Sequence, residues 1–332
     1  KAPNNITATL EQGDDDVTIT EDAAVNAATS MTMAQFDGGN GITWTADNGQ
    51  PTVKYYAKDQ DAETYTTEKQ VGQLEEATYK VVGSVEADTT YSAGSLTFFI
   101  TLSKASAATT IELSNITATQ ATVTLTEVVA AGTLTLAGQT NGDVSLTGGA
   151  SVNVGDTTAT ITFASGSIKV GDTYTVTLTP TNDTLYSAKA SEGVASDAQA
   201  KIGGITLASE EFAVDDKVLT SSTAGTFVDQ YGNTIAAENA ATAFANNTDT
   251  KTDTPATDNA GGGLGTLSIT DDGKLKLTVT NSAAQNDTEA AKTSTYSIVI
   301  GGSTVTFEVS VAASATVFSG TVAAGATPNP EP

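Results

Sequence analysis

Carboxylates dominate the chemistry available to this chain. Asp14, Asp15 and Asp16 form a run with Glu11 close by. Asp59 and Asp61 flank a single residue, and Asp215-Asp216 and Asp271-Asp272 are adjacent pairs. All of them fall in turn-like stretches between strand-like ones. A hard cation such as calcium takes about six to eight oxygens from carboxylates and loop carbonyls. Calcium is therefore the one cofactor with support, and Asp14, Asp15, Asp16, Asp59, Asp61, Asp215, Asp216, Asp271 and Asp272 are its candidate ligands. None of these runs has EF-hand spacing or a glycine-rich nonapeptide repeat. Aspartate is also a favoured turn residue with no ligand in sight.

Other chemistry is excluded by missing residue types. The 332 residues hold 14 Lys+Arg against 39 Asp+Glu, with no His and no Cys. Every basic residue is a lysine. Without His or Cys there is no Ser-His-Asp or Cys-His nucleophile, no histidine or thiolate metal site and no disulfide. Without Arg there is no bidentate phosphate clamp. A formal charge of −25 repels polyphosphate and argues against nucleic acid as a partner. A carboxylate pair can hydrolyse a glycoside, but such a site usually needs an aromatic platform. The single tryptophan, Trp44, stands in the strand-like Ile42-Thr-Trp-Thr45 and reads as a core residue. The expectation is a protein that is not an enzyme.

The elements that position these residues read as strands. Threonine is the compositional outlier, a good strand former and a poor helix-interior residue. It alternates with apolar residues in Ala121–Thr126, Thr133–Leu136, Thr158–Phe163 and Thr173–Leu178. The same alternation returns in Gly265–Ile269, Lys274–Val279, Thr295–Ile300 and Ser303–Val309. That period of two places an apolar face on a core and a threonine face outside. Turn signals punctuate the strands, among them Asn141-Gly142, Gly155-Asp156, Gly171-Asp172, Asp271-Asp-Gly273 and Gly301-Gly302. Ser294–Val309 reads as a hairpin turning at Gly301-Gly302. The Ala-rich stretch Ile235–Asn246 fits either a short helix or a long loop. Short turns between strands predict an all-β chain.

An internal repeat sets the expected organisation. Ala77-Thr-Tyr-Lys-Val-Val…Asp-Thr-Thr-Tyr-Ser-Ala93 and Asp172-Thr-Tyr-Thr-Val…Asp-Thr-Leu-Tyr-Ser-Ala188 share a Thr-Tyr, a Val-bearing strand and a Tyr-Ser-Ala ending. Tyr79 pairs with Tyr174, and Tyr91 with Tyr186, at one common offset. Domains are expected at 1–105, 106–200 and 201–314, followed by an extended tail or linker at 315–332. The Ala/Ser runs Lys104–Thr109 and Ser191–Ala200 are the expected linkers. Pro328, Pro330 and Pro332 favour an extended tail.

Val228-Asp-Gln-Tyr-Gly-Asn-Thr-Ile235 resembles the Asp-x-x-Gly-Asn segment of bacterial immunoglobulin-like domains. The Thr-Tyr…Tyr-Ser-Ala pattern loosely resembles bacterial repeat domains of the same type. The Thr/Ala/Gly-rich, acidic, Cys-free composition resembles the assembly region of an S-layer protein. The resemblance implies tandem immunoglobulin-like β-sandwiches, secretion to the bacterial cell surface, and a homo-oligomer or lattice of identical chains. No surface-layer-homology anchoring segment is visible, so contact with a cell-wall polymer would use a segment not present here.

Two further readings stay open: an extracellular filament or pilus subunit assembled by strand exchange, and an adhesin or phage-displayed binding module. The strand-like ends Asn5–Leu10 and Thr316–Val322 can pair within their own domains or add to a neighbour. Lys80, or Lys217 with Asn281, can be proposed for an intramolecular isopeptide bond. There is no run of about 18 apolar residues, so no transmembrane helix is expected. No signal peptide is present, and a chain starting at Lys1 is expected to be a mature or trimmed form.

Overall fold

The computed structural model describes residues 1–60, 62–206, 210–215, 218–221, 224–246, 251–255, 265–279, 292–300, 303–311 and 320–323. The chain is mostly β, arranged as several sheets. Asp61, Asp216, Lys217, Asn281, Gly301, Gly302 and the tail from Ala324 lie outside the described residues.

Two sheets close on a core in the first hundred residues. One orders the strands Val17–Ile19, Ile6–Leu10 and Ile42–Ala46. The other orders Thr29–Thr32, Gly94–Ser103, Thr78–Val85, Thr52–Ala57 and Thr67–Lys69. The alternation seen in the sequence is realised directly: Ile6, Ala8 and Leu10 are buried while Thr7 and Thr9 are only partly so. In the opposite sheet Leu96, Phe98, Ile100 and Leu102 face the same core. Trp44 packs against this core with its ring centroid 5.6 Å from that of Phe98. It also explains Gly83, since a Cβ there would lie 2.2 Å from the indole ring.

A second pair of sheets encloses a separate core. Thr110–Ser114, Gln120–Thr126, Thr158–Phe163 and Leu146–Gly148 form one. The other is built on Gly142–Val144, Gly132–Gly138, Thr173–Pro180 and Lys189–Ala190. Val123, Leu125, Leu134, Leu136, Ile161, Val176 and Leu178 fill the space between them. Tyr231, some fifty residues further along the chain, is also a member of this core.

Both repeated tyrosines play one geometric role. Tyr79 and Tyr174 are buried at the start of a strand, Thr78–Val85 and Thr173–Pro180. Each hydroxyl accepts a backbone N–H from just upstream, Glu75 for Tyr79 (2.9 Å) and Lys169 for Tyr174 (2.7 Å). The second pair repeats too. Tyr91 bridges Ala2 in parallel and Tyr186 bridges Ala105 in parallel. Ser92 Oγ donates to the Ala2 carbonyl as Ser187 Oγ donates to that of Ala105.

Further strands lie beyond residue 200. Ile202–Thr206, Thr226–Asp229 and Thr234–Ile235 form a three-stranded sheet. An eight-stranded sheet runs Lys251–Pro255, Lys292–Ile300, Ser303–Val311, Gly320–Ala323, Glu210–Asp215, Val218–Ser221, Leu275–Val279, Gly265–Ile269. Lys292–Ile300 and Ser303–Val311 are the expected hairpin, with Ile300 opposite Ser303. The Ala-rich stretch is a helix, Ala237–Asn246, with Ala240, Ala243 and Phe244 buried on one face. Glu238 in its first turn suits the positive end of the helix dipole. Among the described residues, no helix is long and apolar enough to cross a membrane.

Candidate functional site

Among the described residues, a dense polar network forms a joint where the turn Asp229–Asn233 meets the loop Ser165–Asp172. The sequence dictates the turn locally. Asp229 Oδ1 accepts the backbone N–H groups of Tyr231 and Asn233, each at 2.9 Å. The Asp229 N–H donates to the Asn233 carbonyl at 2.8 Å, closing the turn. Gly232 takes a φ of +85°, which a glycine adopts without a Cβ penalty. A Cβ at Gly232 would also lie 1.9 Å from Ser165 Oγ, so the two segments touch backbone to side chain.

This turn inserts Tyr231 into the central core, where the residue is 5% exposed. Its hydroxyl accepts the Asp197 N–H (2.9 Å) and its carbonyl accepts the Gly166 N–H (2.8 Å). Burial pushes the Tyr231 phenol above its ordinary value. The Asp197 N–H opposes that shift, and the Asp197 and Asp229 charges add to it. Asn233 Nδ2 donates to the Ile168 carbonyl at 2.7 Å and to both Asp229 oxygens. Lys169 Nζ donates to Asn233 Oδ1 and to the Gly166 carbonyl. Gln230 bonds the Lys201 N–H and the Gln199 carbonyl, both at 2.9 Å.

Behind the joint stands Asp172, a carboxylate only 4% exposed. It accepts three backbone N–H groups, from Thr140, Asn141 and Thr173. Burial by itself would raise its pKa. The hydrogen bonds from Thr140, Asn141 and Thr173 outweigh that and hold the carboxyl below its usual range. Ser196 Oγ accepts the Asp172 N–H and donates to the Lys169 carbonyl, which ties Ser191–Ala200 into the network. That run is held along its length: Val194–Ala195 pairs with Thr173–Tyr174, and Gly171 N–H donates to the Asp197 carbonyl.

The described candidate calcium ligands sit elsewhere. Asp14, Asp15 and Asp16 are exposed on the turn between Ile6–Leu10 and Val17–Ile19, and Asp16 accepts the Gln12 N–H at 2.9 Å. Glu11 accepts the Thr43 hydroxyl. Asp59 is occupied by Thr66 and Thr67, and hydrogen bonds led by that from Thr64 hold its carboxyl below the ordinary range. Asp215 closes the strand Glu210–Asp215, and Asp61 and Asp216 lie outside the described residues. Asp271 is exposed, while Asp272 pairs with Lys274 at 2.9 Å and accepts the Thr270 hydroxyl. Among the described residues, no group of three or more acidic side chains gathers in a way that could hold a metal ion. Lys80 lies over the Tyr56 ring, 6.0 Å from its centroid.

Sequence reasoning singled out the Asp-x-x-Gly-Asn turn but not its receptor. Lys169, Asp172 and Ser196 carried no local signal beyond Gly171-Asp172 as a turn. Comparison with protein-family models gives no match, and comparison with curated proteins gives none either.

Proposed function

We propose that the chain is a structural, non-catalytic component of a bacterial cell-surface layer that assembles with copies of itself. In this reading tandem immunoglobulin-like β-sandwiches occupy 1–105, 106–200 and 201–314. The observation that carries it is the hydrogen-bonded joint around Tyr231, which couples the central β unit to the stretch of chain that follows it. The repeated tyrosine geometry at Tyr79 and Tyr174 adds support, because a buried tyrosine bonding backbone just upstream is a recurrent device of sandwich folds.

Charge sets the condition for assembly. At −25 identical chains repel one another. Only four ion pairs occur among the described residues, all at least partly exposed. Calcium acts, in this proposal, between chains, where exposed turns such as Asp14–Asp16 from two copies supply oxygens together.

Electron microscopy of the purified chain, with calcium and after chelation, tests both parts. Ordered sheets that disperse on chelation are expected. Sheets indifferent to chelation remove the calcium role. Filaments that survive chelation favour strand exchange, and dispersed monomers under all conditions overturn the assembly reading.

A further inference from the structure

The chain leaves its first core and its central core in different ways. Between residues 102 and 105 the chain crosses in a single step. Leu102 N–H donates back to the Ala77 carbonyl, and Lys104 N–H donates back to Glu76 Oε1 at 2.9 Å. From Ala105 the bonds run forward, to the Leu185 carbonyl and then from Ala107 to Ser187. The strand Gly94–Ser103 ends and the strand Ala105–Ser106 begins with Lys104 alone between them. Among the described residues, no hydrogen bond or ion pair joins 1–103 to 105–332.

The space beside Lys104 is a cleft of about 770 Å³. Phe36, Val71 and Leu74 line one side, and Asp183 and Leu185 the other. Glu75, Glu76 and Asp183 bring three carboxylates to it, against the one ammonium of Lys104. Like charges on facing walls resist closure. The cores on the two sides share no residue.

The second crossing has the opposite build. Tyr231 from beyond residue 200 belongs to the central core, and Gly166, Ile168, Lys169, Asp197 and Gln199 all bond to the turn that carries it. Asn246, at the end of the helix, donates to the Ala200 carbonyl.

We infer that the chain bends at Lys104 and is locked at Asp197–Asn233, so that residues 105–206 and 224–246 move as one rigid arm against residues 1–103. One residue absorbs the change in φ and ψ, as hinges do, and the cleft opens and closes with it. This conformational device is independent of the assembly proposed above, since a monomer would bend in the same way.

The absence of cysteine makes the test direct, because introduced thiols are the only ones present. Spin labels on the exposed pair Ser95→Cys and Thr124→Cys span the pivot. A second exposed pair, Thr124→Cys and Thr242→Cys, spans the lock. Double electron–electron resonance on the full chain is expected to give a distance distribution about twice as broad or more across the pivot than across the lock. Adding Lys169→Ala and Asn233→Ala to the second pair is expected to broaden it. Equal widths in the two pairs, or no broadening on loss of Lys169 and Asn233, would overturn the inference.

Discussion

Tyr231 concentrates the chemistry of the joint in one side chain. Its ring fills the central core, and its hydroxyl satisfies the Asp197 N–H. Tyr231→Phe keeps the ring and removes the acceptor of that part-buried amide, and losing one such hydrogen bond costs about 0.5–1.5 kcal/mol. Tyr231→Ala also leaves a cavity and is expected to cost about 3–5 kcal/mol, by analogy with Phe→Ala in cores. Thermal or denaturant melting of both variants checks the order, and equal losses would mean the hydroxyl contributes nothing. Asp172 supplies a pH test. Its folded pKa lies below the ordinary value of 3.8, so its contribution is complete above that value and is lost as pH falls through the folded one. The melting temperature of Asp172→Asn is expected to fall less steeply with acid than that of the parent below about pH 4. Parallel slopes would remove Asp172 from the acid response.

At the scale of elements, strand positions were legible because period-two alternation is a local property. Thr158–Phe163 and Gly265–Ile269 fall where the alternation placed them. The helix Ala237–Asn246 was ambiguous because alanine and small polar residues lack a strong period. Packing of Ala240, Ala243 and Phe244 decides it. Gly83 was illegible, since nothing in its neighbours announces that Trp44 crosses it from another strand. Gly83→Val would drive a side chain into the indole and is expected to destabilise the first core while shifting the emission of the only tryptophan. An unchanged emission maximum with unchanged melting would show that Trp44 yields freely.

At the scale of the molecule, the described residues are held by small alternating cores, buried tyrosines and backbone-satisfied carboxylates. Ion pairing contributes little, because the pairs described are all at least partly exposed and solvent screens them. Excess acidic charge therefore finds little pairing among the described residues, and in the proposed assembly it is the reason to test calcium dependence. It also explains why runs such as Asp14–Asp16 were easy to read and hard to assign. A run of carboxylates along the chain does not converge in space, and a cation needs convergence from several directions.

Composition and alternation by themselves determined the chemistry this chain lacks, its all-β class, and the repeat that pairs Tyr79 with Tyr174. These follow from residue types and from neighbours a few positions apart. Tertiary structure alone decided that the Asp229–Asn233 turn docks on Ser165–Asp172, that Tyr231 completes a core not built from its own stretch of chain, and that Lys104 stands by itself between two cores. Those facts depend on contacts between residues far apart in sequence, and no local pattern encodes which distant surface a turn will meet.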